Sequence, residues 1–119
     1  MTTRLASLAL VSLALLAAGC GDDDDSGSAA PAKTDDGAVR ISMKDNSFKP
    51  EEATVKVGEK VTWVNQDSVD HDVKADSGAD FSSDQFGKGG RFSFTPTKAG
   101  EIKYECTLHP GMDGTLTVQ

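Results

Sequence analysis

Residues 38–119 of this 119-residue chain predict an all-β fold, a Greek-key β-sandwich of about seven to eight short strands. Three observations lead there. Apolar and polar residues alternate with period two in several short runs, turn residues interrupt those runs at frequent intervals, and none of the runs has helical spacing. Only one domain is plausible at this length.

Val39, Ile41 and Met43 alternate with Arg40, Ser42 and Lys44, the pattern of a half-buried strand, and Phe48 and Pro50 interrupt it. Ala53, Val55 and Val57 alternate with Thr54 and Lys56. Gly58-Glu59 reads as a tight turn into Lys60 to Asn65, so these two runs are expected to pair as a hairpin. From Gln66 to Gly90 the pattern loosens. Val69 to Ala75 is a candidate short strand carrying His71, followed by a long irregular connection with Gly78, Gly87, Gly89 and Gly90. Arg91 to Thr95 alternates around Phe92 and Phe94, Pro96 to Gly100 turns the chain, and Glu101 to Cys106 and Thr115 to Val118 supply the last strands.

Residues 1–19 read as an export signal: Arg4 gives a positive start, and Leu5 to Ala18 is an apolar run too short to span a bilayer. The run ends Leu16-Ala17-Ala18-Gly19-Cys20, which resembles the lipobox of bacterial lipoproteins. That resemblance implies cleavage before Cys20 and a lipid on its sulfur; several acyl chains would anchor stably, each buried CH2 contributing about 0.8 kcal/mol. Residues 20–37 then form a tether. Asp22 to Asp25 and Ser26-Gly27-Ser28-Ala29-Ala30-Pro31 have almost no large apolar side chain to offset the entropy of ordering, and such a linker reaches roughly 20 to 25 Å. Its aspartate run is read as a solvated spacer.

Charge and cysteine usage narrow the function classes. Of 19 acidic and 12 basic residues, six and two fall before residue 38, leaving 13 against 10 in the domain. That mild acidity disfavours nucleic-acid binding and permits a basic protein partner without demanding one. If Cys20 is lipidated, Cys106 is left unpaired in an oxidising compartment, where metal ligation would explain a thiol that finds no disulfide partner.

The chemistry converges on Glu105-Cys106-Thr107-Leu108-His109-Pro110-Gly111-Met112. Alternation puts Ile102, Tyr104 and Cys106 on one face, so the thiol points inward, and Pro110 and Gly111 allow a compact turn that returns His109 and Met112 toward it. With His71, the only other histidine, this makes two imidazoles, a thiolate and a thioether. That is the donor set of a type 1 (blue) copper centre, in which soft sulfur and imidazole nitrogen suit both Cu(II) and Cu(I). Taken singly each residue has a plain alternative: Cys106 as a small core residue, His109 as a loop histidine, Met112 as a hydrophobic plug, His71 as a surface residue beside aspartates. Their joint spacing favours the metal.

These residues, with Thr62-Trp63-Val64-Asn65 before His71, Gly100 to Tyr104 before Cys106 and Gly114 after Met112, resemble the cupredoxins, in particular the small plastocyanin and amicyanin type. The likeness spans residues 38–119, and the three-residue steps from Cys106 to His109 to Met112 resemble amicyanin's short loop. It implies one copper held by His71, Cys106, His109 and Met112, and electron exchange through a partly exposed His109 rimmed by Leu108, Pro110 and Gly111. It also implies a monomer that serves redox proteins such as cytochromes, a terminal oxidase or a dehydrogenase. Cupredoxins usually carry Asn directly after the first histidine; this chain has Asp72, which in that role would accept hydrogen bonds from Thr107.

Other classes stay in view. Copper delivery or buffering at the cell surface would use the same ligands. A metal-free immunoglobulin-like structural module would explain Trp63 and Tyr104-x-Cys106, although the partner cysteine of that fold is missing. An enzyme is not expected, because a closed four-ligand site leaves no open coordination position and two histidines cannot also build a second catalytic constellation.

Overall fold

A computed structural model describes residues 32–119. The export signal, Cys20 and the tether as far as Pro31 lie outside the described residues. Eight strands follow in order: β1 (Val39–Lys44), β2 (Ser47–Lys49), β3 (Glu52–Val55), β4 (Val61–Asn65), β5 (Lys74–Ser77), β6 (Arg91–Phe94), β7 (Gly100–Glu105) and β8 (Asp113–Val118). They form two four-stranded sheets, β2-β1-β4-β6 and β3-β8-β7-β5, and the described residues contain no helix. The all-β sandwich expected from the alternation is the observed fold.

Each sheet is mixed. Strand β1 runs parallel to β4, with Val39 opposite Val61 and Met43 opposite Asn65, and β3 runs parallel to β8. The expected hairpin between the Ala53 and Lys60 runs does not form. All five residues of β4 are buried, so that strand takes a central place between β1 and β6, while the shorter β3 goes to the edge of the other sheet. The Gly58 turn therefore crosses between sheets, with Val57 N–H donating to Gln119 O at 3.0 Å and Gly58 N–H to Pro96 O at 2.9 Å.

A second difference lies after β1. Phe48, read as an interruption, is the buried centre of β2, joined to β1 by a two-residue turn at Asp45-Asn46. Both turn residues have φ of 54°, the left-handed region that Asn and Asp tolerate better than most side chains and that a type I′ hairpin turn requires.

The core is built from the inward faces predicted by alternation. Val39, Ile41 and Met43 meet Ile102, Tyr104, Leu116 and Val118, and Trp63 sits fully buried among them. Trp63 packs edge-on to Tyr104 with centroids 5.3 Å apart, and Tyr104 edge-on to Phe48 at 4.8 Å, a favourable arrangement for ring quadrupoles. Gly114 in β8 makes room for this: a Cβ there would stand 2.4 Å from the Tyr104 ring. Burial pushes the Tyr104 phenol well above its ordinary range, and the nearby Trp63 indole offsets only part of that; among the described residues neither Tyr104 Oη nor Trp63 Nε1 has a hydrogen-bond partner.

The folded part also starts earlier than residue 38. Arg40 N–H donates to Ala32 O at 2.7 Å and Lys33 bridges to Val39. Thr34 is buried, its Oγ1 accepting from Ala38 N–H at 3.1 Å. Ion pairs from Lys33 to Glu59 (2.7 Å) and from Lys60 to Asp36 (3.0 Å) complete a latch against the start of β4. Residues 32–37, assigned to the tether by their polarity, are ordered because these backbone and ionic partners replace a hydrophobic anchor.

Candidate metal centre

Cys106 stands immediately after β7, and the chain returns to β8 through Thr107 to Met112. Two backbone bonds close this loop: Cys106 N–H donates to Met112 O at 2.9 Å, and Met112 N–H to His109 O at 3.1 Å. Gly111 turns it with φ of 85°. Cys106 and Met112 are each only 2% exposed, whereas His109 is half-buried and Leu108, Pro110 and Gly111 are exposed.

His71 comes from the connection between β4 and β5, which joins the two sheets, and is completely buried. It is not within a strand, as expected, but in an isolated bridge with Phe86: His71 N–H donates to Phe86 O at 3.1 Å and Phe86 N–H to His71 O at 2.9 Å. Its Nδ1 lies 3.7 Å from Cys106 Sγ, and the His109 ring stands 4.7 Å away, centroid to centroid, at 68°. His71, Cys106, His109 and Met112 are thus brought to one end of the sandwich.

The outer nitrogens are both committed. His71 Nε2 lies 2.8 Å from Asp67 Oδ2, and His109 Nε2 lies 3.3 Å from the Asp70 carbonyl oxygen. An ionised carboxylate and a carbonyl can only accept, so each Nε2 is the donor, and in the neutral ring Nδ1 is then the nitrogen with the lone pair. The Cys106 sulfur receives the Asp72 N–H at 3.5 Å. The thiol, two imidazole Nδ1 atoms and the thioether are the groups here able to hold a metal.

Around them stand residues of two kinds. Asp72 and Thr107, singled out in the sequence, meet twice: Thr107 N–H donates to Asp72 Oδ1 at 2.7 Å, and the Thr107 hydroxyl donates to Oδ2. Asn65 enters the sequence reading only as the end of the Thr62-Trp63-Val64-Asn65 run, with no role assigned, and Asp67 is not singled out by any sequence signal. The Asn65 amide donates to Val69 O (2.8 Å) and Phe86 O (2.9 Å), and its Oδ1 accepts Asp67 N–H at 2.8 Å. Partial burial pushes the Asp67 carboxyl up, but hydrogen bonds from His71, Asn46 N–H and Asp45 N–H outweigh it and hold it below the ordinary carboxylate range.

The family model for the cupredoxin-like domain matches residues 7–118. The chain belongs to the cupredoxin-like family. Amicyanin of Paracoccus denitrificans is 34% identical over 94 residues, covering 76% of this chain and 72% of the relative. Plastocyanin of Scenedesmus fuscus is 37% identical over 84 residues, covering 60% of this chain and 86% of the relative. A solved Cu(I) structure of an amicyanin mutant superposes with a TM-score of 0.67 at 33% identity, covering 71% of this chain and 84% of that one. The cupredoxin fold and the cupredoxin sequence pattern therefore coincide over the same domain.

Proposed function

We propose that this cupredoxin is a type 1 copper electron carrier and not an enzyme, holding one copper between His71, Cys106, His109 and Met112. The observation that carries the reading is the 3.7 Å approach of the His71 Nδ1 lone pair to Cys106 Sγ in a fully buried setting. Donors at the reach of about 2.0 Å for imidazole nitrogen and about 2.3 Å for thiolate sulfur would stand at about that separation around one first-row ion. The amicyanin and plastocyanin relatives support the same choice of metal. Bound copper would supply the Cu(II)/Cu(I) couple.

The chain's own residues do the rest. The backbone bonds that close the loop hold Cys106, His109 and Met112 in fixed relation, so little rearrangement accompanies a change of charge. Burial of His71, Cys106 and Met112 excludes water and disfavours release of a bound ion, which argues against delivery or buffering. His109, half-buried, is the contact to a partner. Leu108 at 36% exposure and Val69 at 44%, beside the Asp70 carbonyl that His109 meets, give that contact an apolar rim. Partners of this kind are redox proteins such as cytochromes, a terminal oxidase or a dehydrogenase. Cleavage before Cys20 and lipidation of its sulfur would keep the carrier at the outer face of the membrane.

A visible spectrum of the soluble domain with Cu(II), beside Cys106→Ser, tests the reading. An intense red-absorbing thiolate-to-copper band in the wild type alone is expected. A colourless protein that still binds Cu(I) would favour delivery, and no binding in either state would leave a structural module.

A further inference from the structure

Among the described residues, Asp67 is the one carboxylate that joins a proposed copper ligand to a distant part of the fold. Its Oδ2 receives His71 Nε2 at 2.8 Å and Asn46 N–H at 3.0 Å, and its Oδ1 receives Asp45 N–H at 2.8 Å. The two amides are consecutive and point the same way because Asp45 and Asn46 both have φ of 54° in the β1–β2 turn. Successive N–H groups in a turn form a concavity suited to an anion, and here the anion is a side chain of the same protein. Asp67 is fixed from behind as well, its own N–H held by the buried Asn65 side chain.

Resting on the copper reading above, we infer that Asp67 is a positioning residue for His71, aimed by the β1–β2 turn, and that it fixes the imidazole with its hydrogen on Nε2 and Nδ1 toward Cys106. His71 is wholly buried and makes no other bond through Nε2, so without Asp67 nothing on that side selects the tautomer or the ring rotation. A carboxylate behind a ligating imidazole also raises its basicity, which favours the more highly charged metal state. The turn, about 25 residues earlier in the chain, thereby takes part in setting the potential of the site. The chemistry of the arrangement discriminates between substitutions. In Asp67→Asn the amide oxygen can still accept from His71 and Asn46, but the NH2 must then face Asp45 N–H, donor against donor.

The test uses both the metal-free and the copper-loaded domain, with Asp67→Asn, Asp67→Ala, Asp67→Glu and Asn46→Gly. Asn46→Gly keeps the amide donor and suits the left-handed turn, so it separates the Asn46 side chain from its backbone amide. In the metal-free protein, imidazole nitrogen shifts are expected to report one Nε2–H tautomer of His71 in the wild type and a mixture in Asp67→Ala. In the loaded protein, losing the hydrogen-bond partner behind a ligating imidazole weakens metal binding about 10- to 100-fold. If Cu(II) is weakened about tenfold more than Cu(I), the potential of Asp67→Asn rises by about 59 mV, and Asp67→Glu recovers part of it. A mixed or Nδ1–H tautomer in the wild type would overturn the inference, as would unchanged potentials and tautomer in Asp67→Asn and Asp67→Ala. Failure of the wild type to take up copper would instead count against the carrier reading, and the tautomer measurement would still decide the role of Asp67.

Discussion

Asp72 is the residue where this cupredoxin departs from the Asn usual in the family, and the structure gives the departure a definite geometry. Both carboxylate oxygens are taken by Thr107, while the Asp72 backbone N–H reaches Cys106 Sγ at 3.5 Å. Asn could keep one of the two bonds, but its NH2 could not accept the other, and the negative charge beside the sulfur would be lost. That charge favours Cu(II), so Asp72→Asn is expected to raise the reduction potential, with Thr107→Val removing the hydroxyl bond while keeping the charge; voltammetry showing no rise in Asp72→Asn would remove the electrostatic role. The residues around Cys106 divide instructively by how they can be read. The C-x2-H-x2-M spacing is legible because all three donors lie on one short loop. The Asp72–Thr107 pair becomes legible only through likeness to relatives. The roles of Asp67 and Asn65 are not legible, since their partners are a buried imidazole, backbone carbonyls and turn amides whose positions no local pattern encodes.

Among the elements, the latch over residues 32–37 lends itself to a pH experiment. Asp36 is held well below the ordinary carboxylate range, first by the Thr34 hydroxyl, then by Lys60 and Ala38 N–H, and Glu59 is lowered by Lys33 and by Lys56 N–H. A depressed pKa in the folded state contributes stability above the unfolded value, near pH 4, and that contribution is lost as pH falls through the folded one. The melting-temperature gap between wild type and Asp36→Asn should therefore be full at neutral pH, begin to shrink below about pH 4 and close only as pH falls through the depressed folded value. A gap that stays constant into acid would assign the latch to backbone bonding alone. Neither the latch nor strand β2 shows a period in the sequence: the three residues of β2 are too few, residues 32–37 are polar almost throughout, and the order of both comes from neighbours. The misassigned hairpin has another cause. Gly58-Glu59 marks a reversal of direction equally well whether the next strand joins the same sheet or the opposite one. Only the burial of all five β4 residues, a property of the whole sandwich, decides it.

Across the whole molecule, the candidate donors come from two connections: His71 from the one that passes between the sheets, and Cys106, His109 and Met112 from the β7–β8 loop. An ion held by all of them would cross-link parts of the chain that otherwise meet only through side-chain packing. Binding to the folded state alone at a hundred times Kd adds about 2.7 kcal/mol. For a domain of 60–100 residues each kcal/mol is about 4–8 °C in melting temperature. Copper is therefore expected to raise Tm by more than 10 °C in the wild type and far less in Cys106→Ser, as read by calorimetry; equal shifts would mean the ion binds elsewhere. The parallel pairing of β1 with β4 has a further consequence. Val39 and the latch meet the start of β4, whereas Asn65, at its other end, leads on to Asp67 and His71. The latch thus meets one end of β4 and the segment bearing His71 leaves from the other, with a five-residue strand, roughly 15 Å long, between them. Anything attached upstream of Ala32 holds the molecule by its heel. If the proposed lipid attachment at Cys20 exists, the opposite tip would be the part left uncovered for a partner.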